Sequence, residues 1–349
     1  MKIALLNDTH FGVRNDSPAF MEYQNKFYND LFFPYLIENN ITTLIHLGDV
    51  VDRRKFINHN TAHNFKKVFW NKLEELNIDT HVIIGNHDTY YKNTNEVNAM
   101  QNLQLSKNCK VYTKATEMDF GGCNILFLPW ICDDNYDDSI HAIDHSTSTI
   151  AMGHLEVKGF EMHSGVINDH GLERNQFTKF EKVLSGHFHK KSDDGRIYYL
   201  GTQYEMTWSD YRCPKGFHIF DTDTREIERV ANPLTMFEKI IYNDKETDYL
   251  TFDIEKYNKK HVKLFISNKT NDDMYNMFID RLYNKINLHE LNIIEDSMDL
   301  NATVREDILE QGEDTLTFLR NYIDQIETDV DKHKLKEFAK ELYVEASEW

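Results

Sequence analysis

Five short polar clusters hold the side chains able to do chemistry: Asp8-x-His10, Gly48-Asp49-x-x-Asp52, Gly85-Asn86-His87-Asp88, Gly153-His154 and Gly186-His187-Phe188-His189. Singly each is weak, because a lone histidine after a strand is more often a hydrogen-bonded structural residue than a ligand. Together they combine carboxylate, imidazole and amide donors without thiolate, which suits Mn, Fe or Zn better than the all-oxygen shells of Ca or Mg. One carboxylate can bridge two ions roughly 3.5 to 4 Å apart, the arrangement that holds both the attacking and the leaving oxygen of a phosphoryl displacement. The residue types point to a dinuclear phosphoesterase.

Each cluster closes an apolar run with strand character: Ile3 to Leu6, Leu44 to Leu47, Val82 to Ile84, Ile150 to Met152 and Val183 to Leu184. Two further runs, Ile125 to Leu128 and Ile197 to Leu200, end at Pro129 and Gly201. Helical spacing fills the gaps between the first three, as in Phe27, Leu31 and Tyr35, or Phe65, Phe69, Leu73 and Leu76. This is the grammar of an α/β protein, in which sites form at the C-terminal edge of the strands. Trp130 and Tyr91, aromatic residues near strand ends, could stack on splayed bases, but such residues are more often core, by roughly three to one.

The character of the chain changes near Pro233. Residues 1–232 form the first domain in this reading. Residues 233–296 form a small second α/β unit, with strands at His261 to Ser267 and Leu291 to Glu295 around a helix at Asp272 to Asn284. Residues 297–312 read as a linker, and 313–349 as a helical tail with apolar stripes at Leu316 to Ile326 and Leu335 to Ala346. Two short amphipathic helices bury their faces poorly alone, so the tail either docks on another protein or folds back on the main domain, and the preceding linker favours docking by roughly two to one.

Composition narrows the alternatives. A hydrophobic content of 40% with 14 Gly and 5 Pro in 349 residues excludes disordered and collagen-like chains. No apolar run reaches the ~18 residues of a membrane span, and the four scattered cysteines make neither a zinc ribbon nor a disulfide framework. A soluble protein of a reducing cytoplasm is expected. The 39 basic and 58 acidic residues leave a formal charge of -19, which repels nucleic acid unless bound cations reverse the sign locally. Neither a Walker loop, nor GxGxxG, nor a GxSxG elbow is present.

The five clusters, in this order, resemble the calcineurin-like metallophosphoesterases, whose pattern is D-x-H, G-D-x-x-D, G-N-H-D or G-N-H-E, G-H and G-H-x-H. The second unit and tail make the chain similar to the SbcD and Mre nuclease type within them, above all to the nuclease subunits of tailed-phage recombination endonucleases. The resemblance implies a four-layer fold, a central β-sandwich flanked by helices, with residues 233–296 as a capping, DNA-binding domain, and two divalent ions, Mn foremost with Mg, Fe or Zn as alternatives. It places one ion on Asp8, His10, Asp49 and His189 and the other on Asp49, Asn86, His154 and His187, with His87 as general acid or transition-state stabiliser near the leaving oxygen and Asp88 orienting its ring. It further implies a nuclease that digests duplex ends and cuts single strands in DNA recombination and repair. An SbcC-type coiled-coil ATPase would be held by the tail, and a homodimer is expected, with Asn60 to Leu76 a possible contact; a phage product would act in the host cytoplasm.

Arg53, Arg54 and Lys55 beside the second cluster, and Lys190 and Lys191 after the fifth, could hold backbone phosphates or line a solvated loop. Asp52 stands where relatives often have a histidine, so its part is left open. The alternative function is a phosphatase or phosphodiesterase on a small phosphoester or phosphoprotein, and a scaffold with structural metals is the third.

Overall fold

The computed structural model describes residues 1–103, 105–163, 166–295, 323 and 330–347. The chain divides into two compact units: Met1–Met206 with Arg212–Met236, and Thr207–Tyr211 with the chain from Phe237 onward.

The strands of the first unit are, in order, β1 (Lys2–Leu6), β2 (Thr43–His46), β3 (Asp79–Ile83), β4 (Cys109–Tyr112), β5 (Thr116–Phe120), β6 (Cys123–Leu128), β7 (Ile150–Gly153), β8 (Glu161–His163), β9 (Val166–Ile167), β10 (Lys182–Ser185), β11 (Ser192–Asp193), β12 (Ile197–Tyr199), β13 (Lys215–Asp221) and β14 (Ile227–Asn232). They build two six-stranded sheets, β14-β13-β1-β2-β3-β4 and β11-β12-β10-β7-β6-β5, while β8 and β9 form a separate pair. Neighbours from β1 to β4 run parallel, as do β12, β10, β7 and β6. The other strands of both sheets pair antiparallel. The strands that precede the five clusters, β1, β2, β3, β7 and β10, therefore belong to the parallel sections of the sheets, where ligand sites collect at the C-terminal ends.

Both sheets are buried on both faces, which explains apolar runs without strict alternation. Ile3, Leu5, Ile45, Leu47 and Ile83 of one sheet meet Ile125, Phe127, Ile150, Met152 and Leu184 of the other in a shared core. The opposite face of the second sheet, with Leu126, Leu128, Ala151 and Val183, packs on Ile143 of the helix Tyr136–His145. Phe217 of β13 turns outward to Phe27 and Phe32, ring centroids 6.1 and 5.1 Å away, on the helical segment that follows β1. The result is the expected four-layer sandwich.

That helical segment departs from its expected register. Helix α1 (Pro18–Phe27) passes through a π turn at Tyr28–Phe32 into α2 (Phe33–Glu38). The wider turn moves the buried stripe off Leu31 and Tyr35 and onto Tyr28, Phe32 and Leu36. A second π turn, Lys66–Trp70, joins α3 (His59–Phe65) to α4 (Asn71–Glu75), and there Phe65, Phe69 and Leu73 are buried as the spacing predicts. Next comes α5 (Tyr136–His145).

In the second unit, β15 (Phe237–Asn243), β16 (His261–Asn268) and β17 (Glu290–Ile294) form a parallel sheet. Helix α6 (Asp272–Asn284) starts where the Asn271 side chain accepts the Met274 N–H. It turns Tyr275, Phe278 and Leu282 toward Ile240, Tyr242, Val262 and Leu264 and leaves Met277 exposed. The second tail stripe lies on α7 (Lys332–Ser347), with Phe338 and Leu342 exposed. The expected linker and, apart from Ile323, the first tail stripe lie outside the described residues.

His218 sits on the same face of β13 as the core residue Phe220, and its Nε2 has no hydrogen-bond partner among the described residues. Burial first, then Arg229 and Lys191, lower its pKa to about 3. Because the folded value lies below the unfolded one, this group's stabilisation is complete above pH 6.5 and lost as pH falls toward 3, by about 2 kcal/mol at pH 5. Urea titrations at pH 7 and pH 5 with chelator present should show His218→Leu losing about 2 kcal/mol less than wild type over that interval.

Candidate metal centre

Four residues of the clusters adopt left-handed backbone: Asp8 (φ 48°), His10 (φ 42°), Asp49 (φ 55°) and His187 (φ 86°). Each such conformation costs a side-chain-bearing residue of order 1–2 kcal/mol and persists only where its surroundings enforce it. The enforcement is visible. Asp8 N donates to Gly48 O at 2.9 Å, His10 N to Asp49 O at 3.1 Å and Phe11 N to Val50 O at 3.0 Å, lacing the first loop to the second. The Thr9 carbonyl between them accepts from the Tyr204 hydroxyl at 2.6 Å and from Gln24 Nε2 at 3.0 Å.

The second loop is laced to the third by Asp88. One of its carboxylate oxygens accepts from Asp49 N and Gly85 N, both at 2.9 Å, and the other from Val50 N at 2.8 Å and Val51 N at 3.2 Å. Gly85 lies against Asp49 so closely that a Cβ there would sit 2.2 Å from Asp49 Oδ1. Burial, then the charge of Asp49, raises the Asp88 carboxyl to about 7 against the pull of the backbone donors. A cation beside Asp49 would cancel that repulsion and leave the donors to hold Asp88 ionised.

Asp49 is fully buried, and its pKa is held well below the usual carboxylate range: burial opposes ionisation, but His154, His87 and His10 outweigh it. Its Oδ1 accepts from His87 N at 2.7 Å, whereas Oδ2 receives no hydrogen bond among the described residues and has only ion-pair contacts, 3.3 Å to His154 Nε2 and 3.8 Å to His10 Nε2. On one side, Asp8, His10 and His189 bring ligand atoms within 4.8 Å of one another, and the two imidazole Nε2 atoms face each other at 3.1 Å. On the other side, Asp49, His154 and His187 do the same, with Asn86 Oδ1 2.8 Å from His154 Nε2 and 3.1 Å from His187 Nδ1.

A buried carboxylate oxygen lacking a donor, between two groups of nitrogen and oxygen lone pairs, fits a pair of divalent cations and is costly without them. His154 shows the accompanying tautomer: Nδ1–H donates to Leu47 O at 2.8 Å, which turns Nε2 to the centre. Burial alone would lower the His154 pKa, but Asp49 and Asp8 raise it to about 9, so cation and proton compete for Nε2.

All seven expected ligands thus meet in one place, and His87 joins them in a third group with His10 and Asp49. Other expectations change. The ring of His87 is oriented by the Asp52 carbonyl, which accepts from Nδ1 at 2.5 Å, while Asp88 is engaged with backbone amides. Asp52 also sets Oδ1 3.5 Å from His10 Nδ1, a double role that its position in the sequence does not reveal. Arg53 pairs with Asp16 at 3.0 Å and Asn15 and lies over the Phe56 ring, and Lys190 and Lys191 pair with Glu161 and Asp193 at 2.7 and 3.8 Å. Lys55 is exposed, and Arg54 is half-buried with an Nη1 that lacks a partner among the described residues. Tyr91 is 51% exposed and Trp130 half-buried, so neither is core.

A β-sandwich that gathers these donors at the ends of its parallel strands defines a metal-dependent hydrolase of phosphoesters. The chain belongs to the calcineurin-like phosphoesterases, whose family model matches residues 1–191, and it is a metal-dependent phosphodiesterase. It is 33% identical over 354 aligned residues to exonuclease subunit 1 of Enterobacteria phage T4, covering 100% of both chains. Solved structures similar to it include an archaeal phosphodiesterase (14% identity, TM-score 0.33, 66% of this chain and 100% of that one). A dimetal phosphatase from Danio rerio is another (11% identity, TM-score 0.44, 67% and 97%). No described helix is long and apolar enough to cross a membrane.

An amide at position 88 would set its NH2 against backbone N–H donors. Asp88→Asn should therefore unfold about 2–3 kcal/mol more easily in denaturant and bind Mn at least tenfold more weakly by calorimetry, although residue 88 touches no ion.

Proposed function

We propose that the chain is the nuclease subunit of a DNA end-processing enzyme, Mn-dependent, digesting duplex ends and cutting single strands in recombination and repair. The observation that carries the phosphodiester chemistry is the donor-free oxygen of Asp49 between two ligand groups. The choice of DNA is supported by full-length likeness to a phage exonuclease subunit. The formal charge of -19 makes the ions part of substrate binding, since they supply positive potential where the polymer must approach.

Asp8, His10, Asp49 and His189 would hold one ion, and Asp49, Asn86, His154 and His187 the other. When bound, two such ions polarise the phosphoryl group and activate water. The protein contributes position. Asp52 and Leu47 carbonyls fix the tautomers of His87 and His154, and the laced loops hold the ligands before substrate arrives. With Nδ1–H committed to Asp52, His87 can pass a proton from Nε2 to the leaving oxygen. Arg54 and Lys55 remain the candidates for phosphate contacts.

The word subunit in the relative's name, and the exposed Phe338 and Leu342 on α7, support a partner protein, taken here as an SbcC-type coiled-coil ATPase. Homodimerisation through the segment from Asn60 to Leu76 and action in the cytoplasm complete the proposal.

With Mn, wild type should release nucleotides from end-labelled duplex and Asp49→Ala should not; turnover of a nitrophenyl phosphodiester alone would favour a small-ester enzyme. His87→Ser should retain both ions in a metal count yet cleave roughly 10²- to 10⁴-fold more slowly, and loss of an ion would reassign His87 as a ligand. Phe338→Asp with Leu342→Asp should abolish pull-down of the ATPase while cleavage of a short duplex persists.

A further inference from the structure

Beside the metal centre lies a cleft of about 570 Å³ whose walls include Trp130, Tyr136 and Leu155. Trp130 belongs to both places. Its indole ring lies 5.2 Å from the ring of His187 and 6.2 Å from that of His154, centroid to centroid, and it also lines the cleft. Leu155 follows His154 directly in the chain. A ligand in the cleft is therefore separated from the ligands of one ion by a single aromatic side chain.

The chemistry of the walls selects what can enter. Trp130 offers an aromatic surface, and Tyr136, 46% exposed, offers a second ring. Two carboxylates, Glu156 and Glu173, line the cleft against one ammonium, Lys158, which is itself paired with Glu173 at 2.5 Å. That balance disfavours a phosphate inside and tolerates a neutral group. The Asn175 amide, exposed and lining the cleft, makes no side-chain hydrogen bond among the described residues and presents both a donor and an acceptor. The volume falls within the range of small-molecule sites. A flat neutral heterocycle with hydrogen-bonding edges meets all of these conditions.

We propose that this cleft is a nucleobase subsite, which receives the unstacked base of a nucleotide adjoining the phosphodiester held at the ions. The inference rests on the nuclease reading and deepens it. The backbone stays at the ions, where charge is positive, and the base turns away onto Trp130, with Asn175 reaching its edge. Trp130 is thereby a substrate-binding residue, and the enzyme needs a strand whose end or interior can open.

The test uses the full-length chain with Mn and labelled single-stranded oligonucleotides carrying one abasic nucleotide, moved stepwise past the cleavage site. Wild type should lose roughly ten- to a hundredfold in kcat/KM, mostly through KM, when the missing base is the one adjoining the scissile phosphate on one side. In Trp130→Ala that ratio should collapse toward one, and Trp130→Phe should restore most of it. A wild type indifferent to the abasic position, or an unchanged ratio in Trp130→Ala, overturns the subsite while leaving the nuclease reading intact. Failure of wild type to cut any oligonucleotide while it hydrolyses a nitrophenyl phosphodiester overturns the nuclease reading, and the subsite with it. If Trp130→Ala does not fold, wild-type indole fluorescence decides: deoxyadenosine monophosphate should quench it and deoxyribose phosphate should not, and equal responses refute the proposal.

Discussion

A carboxylate removed from water is stable only if its lone pairs find donors or cations, and Asp49 has one oxygen hydrogen-bonded and the other, among the described residues, held only by the charge of nearby imidazoles. Much of the architecture around it keeps this imbalance in place. The loop carrying Asp49 is pinned from beneath by Asp88 and from the side by the backbone of residues 8–11, so the unsatisfied oxygen cannot swing to a nearby amide. Left-handed backbone at Asp8, His10, Asp49 and His187 is part of the same constraint, since each departs from the preferred conformation to aim a donor at one small volume. The strain and the unpaired oxygen together are a debt that bound cations discharge.

The sandwich makes that convergence possible. Parallel strands end on the same edge, so five clusters spread over most of residues 8–189 arrive together without long excursions of the chain. Burial of both sheets on both faces gives the edge a rigid base, and rigidity matters because misplacement of ligand atoms by an ångström is costly in catalysis. Hydrogen-bond partners one layer out, the Leu47 and Asp52 carbonyls, settle which imidazole nitrogen faces inward.

Legibility in the sequence followed the range of the interactions. The five polar clusters could be picked out because each closely follows an apolar run, and strand order needs no detail to bring them to one edge; the choice of Asp8, His10, Asp49, Asn86, His154, His187 and His189 within them came from the resemblance to the metallophosphoesterase pattern. The part played by Asp88 could not, since four N–H donors from two loops are invisible in a string of residue types. Asp52 was obscured likewise, because it acts partly through its carbonyl oxygen, which every residue has. β13 went unread: buried Lys215 and His218 break its apolar pattern. For Arg53 and Lys190 the sequence left phosphate contact and solvated loop open alike, because charge is legible and pairing is not.

The two π turns, at Tyr28–Phe32 and Lys66–Trp70, meet through Tyr28 and Phe69, whose ring centroids are 5.1 Å apart. Each carries one residue beyond what an α-helix of equal rise requires, and so rotates everything downstream by about a quarter of a circle. Deleting a residue from either turn would lengthen no loop and break no strand, yet it would swing the following aromatic side chains out of contact. Insertion and deletion tolerance here is accordingly set by helical phase: the segments could gain or lose length only in matched steps that return those rings to the same azimuth.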